Sequence, residues 1–248
     1  MKLIVKFDLQ DKLKLPINYQ RWIQAAIYKC LEGDSLFAEL HEKGYKNGNL
    51  DFKLFTFSYL KGNYKVEKNT IIFEGEVELE IRSIEKQMIE RIYNWLNEKG
   101  FQLGDYHLLP SEISRVDKKI TKEEMTVYMM TPMVAHHTEK EKSCTIFYRP
   151  EDKEFMELIV QNFQRKYMAF CHQPEGEFSI ELVAASDRDK VVTKYKDFFI
   201  TGWKGVYKLK GKPEYLDFLY NVGLGSKNAQ GFGMFEEKPE KRNREKEQ

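Results

Sequence analysis

The stretch from Gly223 to Gly233 reads GLGSKNAQGFG, with glycines at 223, 225, 231 and 233 around Lys227 and Asn228. Four glycines in eleven residues let bare backbone amides come close to phosphate oxygens. A dinucleotide or P-loop reading fails, because position 228 is Asn where G-x-G-x-x-G needs its third glycine and no Gly-Lys-Ser/Thr is present. The order of elements is also reversed: this loop follows a helical run and precedes an extended one, whereas those motifs follow a strand and open a helix. The competing conformational account is a helix stop at Gly223 and a tight turn at Gly231. Histidine and cysteine offer less. His136-His137 and Cys171-His172 are adjacent pairs, not ligands at helical i, i+4 spacing, and Cys30, Cys144 and Cys171 are too scattered for a zinc ribbon or a disulfide framework. No acidic cluster of the two-metal type sits among apolar strand ends. Neither a metal nor any other cofactor is expected.

Those residues need a scaffold, and 248 residues with 42% apolar content supply one large domain or two small ones. The first ten residues, MKLIVKFDLQ, alternate and break at Asp8, so they suit neither a signal peptide nor a span, and no later run approaches about 18 apolar residues. A cytoplasmic location follows as the expectation. The 40 basic and 39 acidic residues nearly cancel, which argues against a nucleic-acid partner only if they are evenly spread. They are not. Arg188 to Lys212 holds eight basic and two acidic residues, whereas Glu74 to Glu90 holds six acidic and two basic ones. A local basic surface steers anions whatever the total, although lysine runs are also common on solvated strand faces.

Periodicity gives the elements. Lys2 to Leu9 alternates as a strand, and Tyr19 to Leu31 has helical spacing at Trp22, Ile23, Ala26, Ile27 and Cys30, with Pro16 and Asn18 at its start. Phe52 to Leu60 is strand-like, Gly62-Asn63 signals a turn, and Thr70 to Ile81 alternates with its glutamates on one face. Ser83 precedes an amphipathic helix over Ile84 to Glu98 that Gly100 ends, and an extended run covers Phe101 to Val116. The second half repeats the order, with extended segments at Met125 to Val134, Phe178 to Ala184 and Phe198 to Leu209. Helices fall at Lys153 to Phe170 and Pro213 to Val222, and a last strand at Gly231 to Phe235. The pattern predicts an α+β fold of tandem ferredoxin-like βαββαβ units, antiparallel sheets with helices on one face, over 1–118 and 123–236. Residues 237–248 are expected as a disordered charged tail.

A glycine-hydrophobic-glycine, five residues, then Gly-Phe-Gly, at the end of such a chain, resembles the terminal loop of the repeat-associated RNA-binding (RAMP) superfamily. Within it, NYQRWIQAAIYKCL (18–31), Leu40-His41-Glu42 and KLFTFS (53–58) resemble the first helix, the catalytic histidine region and the second strand of the CRISPR-associated repeat-cleaving endoribonucleases. The likeness spans about residues 1 to 236. It implies binding of CRISPR precursor RNA and cleavage within its repeats. The same resemblance leaves a CRISPR effector complex or a second copy of the chain as further partners, and gives no role to DNA or membrane. Because some members bind without cutting, the alternative is a non-catalytic RNA-binding subunit of a guide-RNA complex.

With no metal constellation, cleavage requires attack by the ribose 2′-hydroxyl on the adjacent phosphorus, hence a base, an acid for the leaving 5′-oxygen, and positive charge. The resemblance assigns proton transfer to His41, whose imidazole ordinarily titrates near neutral pH. It assigns orientation of the 2′-hydroxyl to Tyr28 and neutralisation of the scissile phosphate to Lys53. GYKNGNLDF (44–52) departs from the family pattern as a lengthened loop, so Lys46 competes with Lys53, and His136 or His137 are secondary candidates for the base. RNA binding is expected from Gly223, Gly225, Lys227, Asn228, Gly231 and Gly233, and from Lys190, Lys204 and Lys208 of the basic stretch. Trp203 and Tyr207 are candidates for base stacking, with the core the better placement for Trp203.

Overall fold

The computed structural model describes residues 1–33, 44–139, 144–171, 173–195 and 198–239. In the first half, β1 (Lys2–Asp8) turns Leu3, Val5 and Phe7 inward, as its alternation demands. After β2 (Leu13–Pro16), α1 (Gln20–Lys29) lays Ile23, Ala26 and Ile27 on the same core. β3 (Tyr45–Asn47) and β4 (Leu50–Phe52) form a hairpin, followed by β5 (Phe55–Phe57), β6 (Lys61–Glu67) and the long β7 (Thr70–Ser83). Next comes α2 (Lys86–Lys99), stopped by Gly100 at φ +67°. β8 (Phe101–Leu103), β9 (Tyr106–Leu108) and β10 (Glu112–Val116) complete the half. The sheet runs β10-β1-β7-β2, and β5 and β6 also pair with β7. Taken as β1, β5, β7 and β10, its main strands lie in the antiparallel order four-one-three-two of a ferredoxin-like unit.

Three expectations change here. Phe52 to Leu60 is not one strand, because the chain breaks at Lys53 and Leu54 between β4 and β5. Gly62-Asn63 is a register shift inside β6, and the chain reverses at Lys68, which sits at φ +53°. A glycine beside asparagine serves a bulge as well as a turn, which is why the sequence misleads. The Gly/Asn-rich segment before Lys53 is a hairpin turning at Gly48 (φ +60°), not an open loop. It docks on the other half, where Asn47 Nδ2 donates to the carbonyl oxygen of Arg165 at 3.1 Å.

The second half opens with β11 (Glu124–Met129), the hairpin of β12 (His136–Glu139) and β13 (Cys144–Phe147), and α3 (Lys153–Phe170). Then follow β14 (Ser179–Ala184), the hairpin of β15 (Lys190–Tyr195) and β16 (Phe198–Trp203), β17 (Val206–Lys210), α4 (Pro213–Val222) and β18 (Phe235–Glu237). The order β14-β17-β11-β18 is again four-one-three-two, and Phe155, Ile159, Phe163, Leu216 and Leu219 fill the core beneath it. Phe198 to Leu209 divides at Gly205 (φ +124°) into strands of two different sheets. Trp203 and Tyr207 are both core residues, 2% and 0% exposed. The last strand lies later than its expected place, because Gly231 to Met234 complete the glycine-rich loop. Among the described residues no helix is long and apolar enough to cross a membrane.

The halves are locked by buried charge. Arg82, 0% exposed on β7, contacts Glu80 at 2.6 Å and Glu236 at 2.9 Å, donates to the Phe235 carbonyl at 2.7 Å, and lies 3.9 Å over the Tyr220 ring. A desolvated guanidinium survives only with such a full set of partners. Glu236 and Glu237, at the start of the acidic run EEKPEK, therefore belong to a strand, and Glu236 to the seam; they are not the beginning of a free tail. Leu54 joins the second core, and Thr56 Oγ1 donates to the carbonyl oxygen of Phe232 at 3.1 Å.

Candidate active site

The glycine-rich loop leaves α4 at Gly223 and folds back on itself. Gly223, Gly225, Gly231 and Gly233 have φ of +87°, +66°, +86° and +77°, and all four are buried. At Gly233 a Cβ would stand 2.0 Å from the carbonyl oxygen of Leu224, and at Gly231 it would meet the Phe57 ring at 2.8 Å. No other residue fits these two places. The glycines thus shape the loop and seat it on the first half, while Ser226, Lys227, Ala229 and Gln230 are what it turns toward the cleft. Asn228 is 7% exposed and bonded inward: its amide donates to the carbonyls of Leu224 at 3.0 Å and Phe232 at 3.1 Å.

Under the loop lies Lys166 of α3, 2% exposed. Its ammonium donates to the Gly223 carbonyl at 2.6 Å, the Gly225 carbonyl at 3.2 Å and Asn228 Oδ1 at 3.0 Å. Three acceptors match the three N–H groups of a charged amine. Burial works against that charge and pushes the pKa down to about 7.

Facing the loop is a cleft of about 480 Å³ between the halves, lined from the first half by Gln24, Tyr28, Asp51 and Lys53 and from the second by His136, Arg165, Lys166 and Lys227. Tyr28 and Lys53 are therefore brought together with Lys227, as a joint site requires. Tyr28, half-buried in α1, packs edge-on against Phe55 with ring centroids 5.8 Å apart. Burial raises its pKa, opposed by a hydrogen bond from Gln24, so the phenol keeps its proton at neutral pH. Lys53 lies in the break between β4 and β5 and folds over Gly44, its Nζ 3.2 Å from where a Cβ would be. Lys46 is exposed on β3, opposite Asp51 in the hairpin register, and is not part of the cleft wall. His41 lies outside the described residues. Burial also lowers the pKa of Lys227.

The remaining lysines stand elsewhere. Lys190 opens β15 opposite Trp203, Lys204 is half-buried with its amine 5.6 Å from the Tyr59 ring centroid, and Lys208 pairs with Glu124 at 2.9 Å. None of the three lines the cleft. Of the other histidines proposed as bases, His136 lines it and His137 points to solvent. Sequence reasoning missed Gln24, Arg165 and Lys166. Lys166 did leave a signal, a lysine within the buried stripe of Ile159, Phe163 and Tyr167. Among the described residues no three His, Cys, Asp or Glu side chains gather as a metal would need.

Residues 115–237 match the family described as CRISPR associated protein Cas6, C-terminal. A CRISPR-associated endoribonuclease Cas6 of Pyrococcus furiosus is 28% identical over 261 residues, spanning 100% of this chain and 94% of that one. CRISPR-associated endoribonuclease Cas6 1 of Methanocaldococcus jannaschii is 25% identical across 94% of this chain and 91% of its own. Among solved structures, the product of a Cas6-related gene from Pyrococcus furiosus superposes with a TM-score of 0.80 at 24% identity, covering 97% of this chain and 99% of that one. A RAMP protein binding different RNA substrates gives 0.81 at 22%, covering 96% and 100%. The structural likenesses carry the fold, and the family rests on the C-terminal match: residues 115–237 belong to the CRISPR-associated Cas6 C-terminal family, and the chain is similar over its whole length to Cas6 endoribonucleases.

Proposed function

We propose that this chain is a metal-independent endoribonuclease that binds CRISPR precursor RNA in the cleft and cuts within each repeat. The observation that carries the reading is the cleft itself, where Tyr28 and Lys53 of the first half face Lys227 and Arg165 of the second. In this mechanism His41 takes the 2′-hydroxyl proton as that oxygen attacks the adjacent phosphorus, and the imidazolium so formed gives a proton to the 5′-oxygen as the P–O5′ bond breaks. The products are a 2′,3′-cyclic phosphate upstream and a 5′-hydroxyl on the guide. Tyr28, its phenol protonated, orients the 2′-hydroxyl, and Lys53 offsets charge on the phosphate. The two ferredoxin-like units, over 1–118 and 123–236, supply opposite walls. A CRISPR effector complex or a second copy of the chain is a further partner in this reading. Incubating a repeat RNA with the protein in EDTA is the test. Cleavage should persist in EDTA and vanish when the nucleotide before the cut carries a 2′-deoxy ribose. A magnesium requirement, or cutting of the deoxy substrate, would overturn the mechanism.

A further inference from the structure

His136 stands on β12 at the wall of the same cleft, and the cleavage mechanism gives it no task. Its Nδ1 lies 2.9 Å from Ser226 Oγ, and that oxygen lies 3.1 Å from the carbonyl oxygen of Val134. A carbonyl has no proton to give, so the one hydroxyl proton of Ser226 goes to Val134 and its oxygen accepts from His136. The ring is thereby set as the Nδ1–H tautomer, which leaves Nε2 as its acceptor. Phe147 braces it, with centroids 5.7 Å apart and planes at 30°. Burial first, then Lys227 and His137, push its pKa down to about 4. Lys53 and Arg165 add positive charge to the cleft and Asp51 one negative charge. A ring that resists protonation at neutral pH is a poor proton carrier, but it is a fixed, neutral hydrogen-bond acceptor.

We infer that His136 is a specificity-determining residue of the RNA site, whose Nε2 accepts a hydrogen bond from the bound RNA. The donor is a nucleobase exocyclic amine or a ribose 2′-hydroxyl. This rests on the repeat-RNA reading, and the tests separate the two. Imidazole ¹⁵N spectra of the free protein need no RNA: between pH 6 and 8 His136 should be the neutral Nδ1–H form, and an Nε2–H form or an imidazolium would refute the inference. Binding is then measured with one repeat of the host's own CRISPR array as single-stranded RNA. His136→Asn keeps the donor toward Ser226 but loses the outward acceptor, and should weaken binding about tenfold, the weight of one such bond. His136→Gln, whose amide oxygen reaches the place of Nε2, should stay within about threefold of wild type. Cleavage in the saturated complex should hold within about twofold for both variants. Unchanged binding by His136→Asn would overturn the inference, as would a hundredfold loss of rate at saturation, which marks a proton carrier. Two scans of the repeat identify the donor, one with 2′-deoxy ribose and one with bases lacking a single exocyclic amine. One position should weaken wild type about tenfold while leaving His136→Asn unaffected; if neither scan finds it, the acceptor goes unused and the inference fails. Failure of wild type to bind the repeat at all refutes the parent reading as well, and is recognised by losing every arm except the spectra.

Discussion

The phenol of Tyr195 donates to Oε1 of Gln24 across 2.5 Å, joining the β15 hairpin of the second half to α1 of the first. Gln24 sits one helical turn before Tyr28 and donates to it in turn, so the candidate active-site tyrosine is held through a residue 171 positions away from Gln24. Asn18 secures the same hairpin, donating to the Lys194 carbonyl at 2.9 Å. Tyr195→Phe should therefore lower kcat by about three- to tenfold, the weight of one hydrogen bond, and leave KM within about twofold. Single-turnover and steady-state kinetics on repeat RNA check it. An effect confined to KM would mean that Tyr195 contacts RNA and does not position Tyr28.

Lys166 ties the glycine-rich loop to α3, and its replacement should act on both loop and stability. Lys166→Met leaves three buried acceptors without a donor, costing about 1–3 kcal/mol. The pH dependence has a definite sign. The folded-state pKa is about 7 against an ordinary 10.5, so between those values the unfolded chain holds a proton that the folded one has shed. Stability from this group then rises with pH across that window, by at most about 1.4 kcal/mol per pH unit. Denaturant unfolding of wild type and Lys166→Met from pH 6.5 to 10 should show the difference between them growing with pH. A flat difference would place the folded pKa near its ordinary value, with the three acceptors outweighing burial.

Lys53 lines the cleft and Lys46 does not, which separates two lysines only seven positions apart in the chain. Lys53→Ala should slow cleavage in the saturated complex by about 10²- to 10³-fold, the usual weight of one charge-stabilising group, whereas Lys46→Ala should stay within about twofold. His41→Ala should cost about 10² to 10⁴ with repeat binding largely kept. Equal effects of the two lysine variants would mean that the hairpin of β3 and β4 reorganises when RNA binds.

Much of this scaffold is legible in the amino-acid sequence, for physical reasons. Lys153 to Phe170 and Pro213 to Val222 match their helices end to end, because long apolar stripes with a proline or glycine boundary leave little choice. The hairpin of β12 and β13 escapes detection, since His136 to Glu139 is polar on both faces and its pairing is fixed by Cys144 to Phe147. The site divides in the same way. Lys227 is flagged by local glycine spacing, and Tyr28 and Lys53 by family resemblance. Gln24 and Lys166 act through partners 171 and 57 residues distant, a relation no local pattern encodes. The even charge balance hid the seam for a similar reason. Glu80 and Glu236 look like surface carboxylates until Arg82 is seen between them.

That seam gives the last prediction. Burial opposes the charge on Glu80 and Glu236, but Arg82 with Lys2 at the first, and Lys118 with Arg82 at the second, outweigh it and hold both carboxyls below the ordinary 4.5. A carboxyl depressed on folding stabilises above its unfolded pKa, and that contribution is lost as pH falls through the folded value. Arg82→Met leaves two carboxylates facing each other with Lys2, Lys61 and Lys118 as the neighbouring cations, and should destabilise by about 3–5 kcal/mol. The double change Arg82→Met with Glu80→Gln removes one of the stranded charges and should recover part of that loss. Acid titrations of unfolding carry the decisive comparison: wild type should lose stability below about pH 4.5, and Arg82→Met should lose much less over the same range, because it has less to lose. If both proteins lose stability in parallel, the carboxyls are held down by the lysines and not by the guanidinium, and the seam does not depend on Arg82.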